Sequence, residues 1–156
     1  MTTNTCAIST LQVKLSQGDH TGWIDIHLCT DDVELAISAS DVFSPFQDLA
    51  EFLENVIGGR MPCECEVDEE GVVKRLNAMP LENLLVFQFR LCDGDEPSAV
   101  FIDRVFDRRQ FVSAFYDELV DFIATRYRAD KWTSFPVDDL KRLDLEKLKS
   151  LLIAAS

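Results

Sequence analysis

Between Val42 and Gly59, in the run VFSPFQDLAEFLENVIGG, the apolar residues recur at three- and four-residue steps. Only a helix brings such residues to one face. Phe46, Leu49, Ala50, Leu53, Val56 and Ile57 make the stripe, and Gln47, Asp48, Glu51, Glu54 and Asn55 fill the opposite side. Ser44 reads as the N-cap, Pro45 as the first helical residue and Gln47 as the closing member of a capping box. Gly58-Gly59 supplies the left-handed stop. A stripe of this width has to be covered, and the rest of the chain reads mainly as strands that could cover it.

Before this helix the period is two. Leu11, Val13 and Leu15 alternate with Gln12 and Lys14 in a strand over 7–15, and Ser16 to Gly22 has the composition of a loop. Ile24, Ile26 and Leu28 then oppose Trp23, Asp25, His27 and Cys29, Thr30-Asp31-Asp32 reverses the chain, and Val33, Leu35 and Ile37 oppose Glu34, Ala36 and Ser38. This is an antiparallel meander with one face dry.

After the helix, Met61, Cys63, Cys65 and Val67 alternate with Glu64 and Glu66. Asp68 to Gly71 reads as a hairpin loop with Gly71 at positive φ, and Val72 to Met79 returns with Lys74 and Arg75 placed so that one of them can face the glutamates. Leu84 to Leu91 is the most apolar strand and is expected at the sheet's centre. Cys92 to Pro97 turns the chain into a strand over Ala99 to Val105.

A second helix is expected over 107–127. Asp107 and Gln110 form its capping box, and Phe106 and Phe111 stand at the positions of a hydrophobic staple. Phe111, Phe115, Leu119, Phe122 and Ile123 give the apolar face, with Arg126 and Arg128 near the C-terminal dipole. The two helix entries resemble each other at an offset of 63 residues, which either records a duplication or follows from shared capping rules, the reading favoured here. Residues 129–137 form a connector that brings Trp132 and Phe135, Asp138 to Leu143 a helical turn, and Asp144 caps a terminal helix carrying Leu145, Leu148, Leu151 and Leu152. The expected architecture is a two-layer α+β fold: a mostly antiparallel sheet of about six or seven strands, with helices 44–57 and 107–127 on one face. Residues 1–128 make one domain, and 129–156 a connector and amphipathic helix that packs on it.

The net charge of −13 is uneven. Residues 1–70 hold 14 acids against Lys14 and Arg60, whereas 71–156 hold 14 acids and 13 bases. Such an acidic half repels nucleic-acid phosphate and anionic membrane, so neither is expected as a partner. No run approaches the roughly 20 apolar residues of a membrane span. The opening MTTNTCAIST lacks the features of a secretory or mitochondrial leader, so the expected location is cytoplasmic and the five cysteines are expected as reduced thiols.

Familiar catalytic signatures are absent: no G-x-S-x-G, no phosphate-cradling glycine loop, no H-E-x-x-H and no C-x-x-C. Asp25, His27 and Cys29 imitate an acid–base–nucleophile set, but strand neighbours two apart are separated by about 6.5–7 Å, too far for direct proton transfer. Cys63 and Cys65 share a face without the second pair that a structural zinc site needs. The acidic turns lack the ligand order of a calcium loop. No catalytic residue, metal or cofactor is therefore assigned.

Trp23 points away from Ile24, Ile26 and Leu28; it is expected either as an open aromatic anchor ringed by Asp25 and Glu34 or as a residue covered by the C-terminal segment that brings Trp132 and Phe135. The expected interaction residues are Trp23, Asp25, His27, Asp31, Asp32, Glu34, Glu64 and Glu66. They describe a non-enzymatic module that binds a protein with a basic surface, of which an inhibitor or immunity-type protein is one form. The alternatives are a ligand-binding domain or enzyme with a pocket lined by Phe87, Phe89 and Phe115, and a homodimer or larger homo-oligomer built through 130–156.

Overall fold

The computed structural model describes residues 7–132 and 140–155; the expectations placed on Phe135, Asp138 and Asp139 lie outside them. The order of elements is β1 (Ile8–Ser9), β2 (Gln12–Ser16), β3 (Trp23–Cys29), β4 (Glu34–Ser40), α1 (Phe46–Ile57), β5 (Cys63–Asp68), β6 (Val73–Pro80), β7 (Val86–Asp93), β8 (Val100–Asp107), α2 (Arg108–Thr125) and α3 (Glu146–Ala154). The fold is α+β.

Its strands divide between two sheets, where alternation alone suggested one. The larger has the order β1-β8-β7-β6-β5 and the smaller β2-β3-β4. Every pairing is antiparallel except β1 with β8. The division begins inside the segment that reads as one strand. Ile8 and Ser9 pair with Val105 and Phe106, whereas from Gln12 onward the chain pairs with β3. Leu11, at the break, is 1% exposed.

Leu11 belongs to neither sheet, so its backbone groups need other partners. Gln110 supplies both: its Oε1 accepts from the Leu11 N–H at 3.0 Å, and its Nε2 donates to the Leu11 carbonyl at 2.8 Å. The side chain expected to reach back along its own helix thus reaches across the core instead. The rest of the α2 start is as read, with Asp107 Oδ1 accepting from the Gln110 N–H at 2.9 Å and Phe106 stapled to Phe111 at 5.3 Å between centroids.

The first helix starts one residue later than its signal suggested. Pro45 occupies the cap and makes no side-chain capping bond, while its carbonyl accepts from the Leu49 N–H at 2.7 Å. At the other end the Gly59 N–H bonds the Val56 carbonyl and the Arg60 N–H bonds that of Asn55, a Schellman closure with Gly59 at φ +74°. The backbone conformation demands glycine there, and a Cβ would in addition press on the end of the Arg108 side chain, meeting Nη1 at 3.0 Å. Phe52, outside the expected stripe, is buried with the others because α1 touches β5, α2 and α3 together.

Strand β7 is central, as its composition implied. It starts at Val86 and leaves Leu84 and Leu85 exposed. Phe87, Phe89 and Phe115 all pack on Phe111, with centroids 5.0, 4.8 and 5.3 Å away. α3 lies against α1 and α2 with Leu148 and Leu152 buried. Its N-cap is Leu145 rather than the expected Asp144, which lies one residue earlier and whose Oδ1 accepts from the Glu146 N–H at 3.0 Å.

Replacing Gln110 with Ala leaves two backbone groups of a buried residue without partners. Each such loss costs about 1–3 kcal/mol. The urea midpoint of Gln110→Ala should fall clearly, and Gln110→Glu, which sets a carboxylate oxygen against the Leu11 carbonyl, should fall as well. Midpoints equal to that of the parent would contradict the role given to Gln110.

Candidate interaction face

Alternation in β3 sends Ile24, Ile26 and Leu28 into the core and Trp23, Asp25, His27 and Cys29 to the other side, where all four are half-buried. Two depressions lie on that outer face. One, of about 560 Å³, has Trp23, Asp25 and Ser38 as its floor, His20 on one wall and Glu69 and Lys74 on the other. The second, of about 640 Å³, includes Lys14, Ser16, His27, Cys29 and Glu34.

The wall of the first depression is the β5–β6 hairpin tip. Glu70 at φ +61° and Gly71 at φ +119° turn the chain sharply, with Asp68 Oδ1 accepting from both their N–H groups. The turn carries Glu69 to the edge of β4, where it accepts from the Ser38 N–H at 2.7 Å, and Glu70 to the Ser40 hydroxyl at 2.7 Å. Glu69 is also ion-paired with Lys74, whose ammonium lies over the Phe101 ring. Asp25 differs. Its Oδ1 accepts from the Ser38 hydroxyl at 3.2 Å, and among the described residues no cation stands within ion-pair distance of it.

The C-terminal segment runs close by without covering Trp23 with its own tryptophan. The Gly22 N–H donates to the Lys131 carbonyl at 2.8 Å, and Trp132 then turns inward, 2% exposed, edge-on to Phe46 at 5.7 Å.

His27 meets neither Asp25 nor Cys29. Its Nε2 lies 3.0 Å from Ser16 Oγ, while the Cys29 thiol points to the Thr30 carbonyl at 3.5 Å. The acid–base–nucleophile triplet is not assembled, as strand spacing required. A Ser–His contact was missed because the partners are 11 residues apart and meet only through the β2–β3 register. Among the described residues no carboxylate orients the ring through its other nitrogen, the support a nucleophilic pair needs.

The remaining candidates lie elsewhere. Glu34, exposed, opens β4 opposite Cys29 and borders the second depression with His27. Asp31 and Asp32 sit in the reversal beyond β3, where Asp32 Oδ2 meets Arg104 Nη2 at 2.5 Å. That guanidinium holds the Asp32 carboxyl below the usual carboxylate range. Glu64 and Glu66 lie on the larger sheet, with Arg75 directly opposite Glu66 at 2.7 Å and 3.8 Å from Glu64. The fold therefore gathers Trp23, Asp25, His27 and Glu34 on one face and leaves the other four acids outside it. Several acids of the first 70 residues also find cations from the rest of the chain, Glu54 with Lys147 among them.

Cys29, Cys63, Cys65 and Cys92 are free thiols. Burial pushes the Cys63 thiol up to about 11; burial first, and then the charge of Asp48, pushes Cys65 up to about 12. Among the described residues no cluster of three or more His, Cys, Asp or Glu could hold a metal ion, and no helix is long and apolar enough to cross a membrane. In comparisons with protein-family models, curated proteins and solved structures, nothing matches this chain.

The Cys65 shift makes a pH prediction. An unfolded thiol ionises near its ordinary value of 9.0, whereas the buried one holds its proton until about pH 12. The stabilising contribution is complete below pH 9 and is lost as pH rises through that window. Unfolding free energy from urea titrations should therefore decline above pH 9. The decline should be shallower in Cys65→Ala, whatever that variant's stability at neutral pH; an unchanged slope would contradict this assignment.

Proposed function

We propose that the protein is an interaction module that binds a partner protein with a basic surface through the outer face of the β2-β3-β4 sheet, centred on Trp23. The observation that carries this reading is the position of Trp23: half-exposed, in a depression, beside a carboxylate with no cation of its own. Tryptophan in a partly enclosed polar setting is the residue type that most often dominates binding energy at protein interfaces. The net charge of −13 adds long-range attraction for a cationic partner and speeds encounter. An inhibitor or immunity-type protein acting in the cytoplasm on a cationic enzyme is one concrete form.

Two observations favour this reading over its rivals. Phe87, Phe89 and Phe115 close on Phe111, filling the space where a ligand pocket between sheet and helices was expected. Leu148 and Leu152 of α3 are covered by the protein's own helices, which leaves Ile153 as that helix's exposed large apolar residue. Among the described residues of 130–156, homo-oligomer assembly thus has little apolar surface to use.

A partner recovered from the native cell should bind with an affinity that drops steeply between low and high salt. Truncating a hot-spot tryptophan costs about 2 kcal/mol or more, so Trp23→Ala should weaken the complex by roughly 30-fold. Asp25→Asn should weaken it and flatten the salt dependence, and Ile153→Asp should leave it unchanged. A complex indifferent to salt and to both face variants would remove the proposal.

A further inference from the structure

We infer that the depression at Trp23 receives an arginine side chain of the partner, its guanidinium held between the indole ring and the Asp25 carboxylate. This rests on the interaction reading above and names the chemistry of the same face.

The spacing supports it. Trp23 and Asp25 are two apart on one strand face, so their side chains leave the backbone about 6.5–7 Å apart. Both line the same depression. A planar cation entering it would meet the ring and the carboxylate together. Tryptophan is the best aromatic partner for a cation, effective within about 6 Å of the ring centroid.

The local charges agree. Glu69 and Lys74, on the hairpin wall, neutralise each other, and the Lys74 ammonium is further engaged by the Phe101 ring. Asp25 is left as the uncompensated charge on the floor, its hydrogen bond coming from a neutral hydroxyl. One carboxylate oxygen takes that bond, and an ionised carboxylate retains lone pairs for a forked guanidinium contact.

Arginine fits better than lysine for physical reasons. Its flat group stacks on an indole, forks onto a carboxylate and sheds water more readily than an ammonium does. The size is compatible, since the depression of about 560 Å³ lies within the usual range of binding pockets.

The test is a titration of the full chain with capped arginine (N-acetyl-arginine amide), capped lysine and capped citrulline. The readout is the Trp23 indole N–H resonance, assigned by its loss in Trp23→Phe. Capped arginine should shift that resonance saturably, capped lysine should bind at least several-fold more weakly, and uncharged citrulline should give no saturable shift. Asp25→Asn, which preserves shape and an acceptor for Ser38, should weaken arginine by tenfold or more. Glu51→Gln, on the exposed side of α1, should not.

Equal shifts from arginine and citrulline, or indifference to Asp25→Asn, would overturn the inference. A partner complex that depends on Trp23 yet ignores both Asp25→Asn and competing capped arginine would overturn it too, while leaving the interaction reading intact. Arginine binding that follows this pattern when no basic partner uses the face would support the site and remove the wider reading.

Discussion

The fold depends on how α2 covers the outer edge of β2. An edge strand presents unpaired N–H and C=O groups, and here side chains of a helix take the place of a neighbouring strand. Gln110 satisfies both backbone groups of Leu11. Glu118 Oε2 accepts from the Leu15 N–H at 2.5 Å, and Arg126 Nη1 donates to the Leu15 carbonyl at 3.1 Å. Arg126 is itself held by Glu118 at 2.9 Å and Asp121 at 3.0 Å. The two repeats agree: four strand residues advance about 13 Å, and the eight helical residues from Gln110 to Glu118 advance about 12 Å. The pairing continues past the helix, where the Gln17 amide takes the Arg128 N–H at 2.7 Å and donates to its carbonyl at 3.0 Å.

This arrangement ties the first strands of the chain to its last long helix, and it bears on what a partner could use. At the opposite edge of the small sheet, Glu69 and Glu70 engage Ser38 and Ser40 from the hairpin tip. Helix side chains along β2 and the hairpin tip at the Ser38–Ser40 end of β4 leave less of either edge open to an added strand. What the small sheet still offers is its outer face, and there the side chains decide recognition. Trp23, Asp25, His27 and Glu34 occupy that face as a consequence of strand alternation.

The elements were legible in the sequence because their signals are local. Asp107, Phe106 and Phe111 mark the start of α2 within six residues; Gly71 marks a tight turn; the side-by-side register of Glu66 and Arg75 follows from the hairpin. The partition into two sheets was not legible, because alternation reports which face a residue occupies and says nothing about which strand lies beside it. Leu11 stays buried on either side of the break, so nothing in the pattern of 7–15 changes there. The contacts that make the break possible join residues 99 to 111 positions apart. The eight-residue spacing of Gln110, Glu118 and Arg126 was a faint trace of them. The candidate face divides along the same line. Alternation correctly grouped Trp23, Asp25 and His27, whereas Asp31, Asp32, Glu64 and Glu66 were grouped with them by charge, which has no period and fixes no position.

Charge in the sequence and charge in space are different quantities here. The first 70 residues hold a large acidic excess, yet the fold returns Lys74 to Glu69, Arg75 to Glu66, Arg104 to Asp32 and Lys147 to Glu54. Most of these pairs lie near solvent and add little stability singly. Their larger effect is to cancel potential over the surfaces where they lie. A half-buried carboxylate left outside this pairing loses part of its hydration without gaining a cation in return. Asp25 is in that position, next to an indole whose face also favours positive charge. A cation arriving there would supply both groups with a partner that the chain's own pairing does not provide, so the weight of the electrostatic argument falls on one residue and its aromatic neighbour.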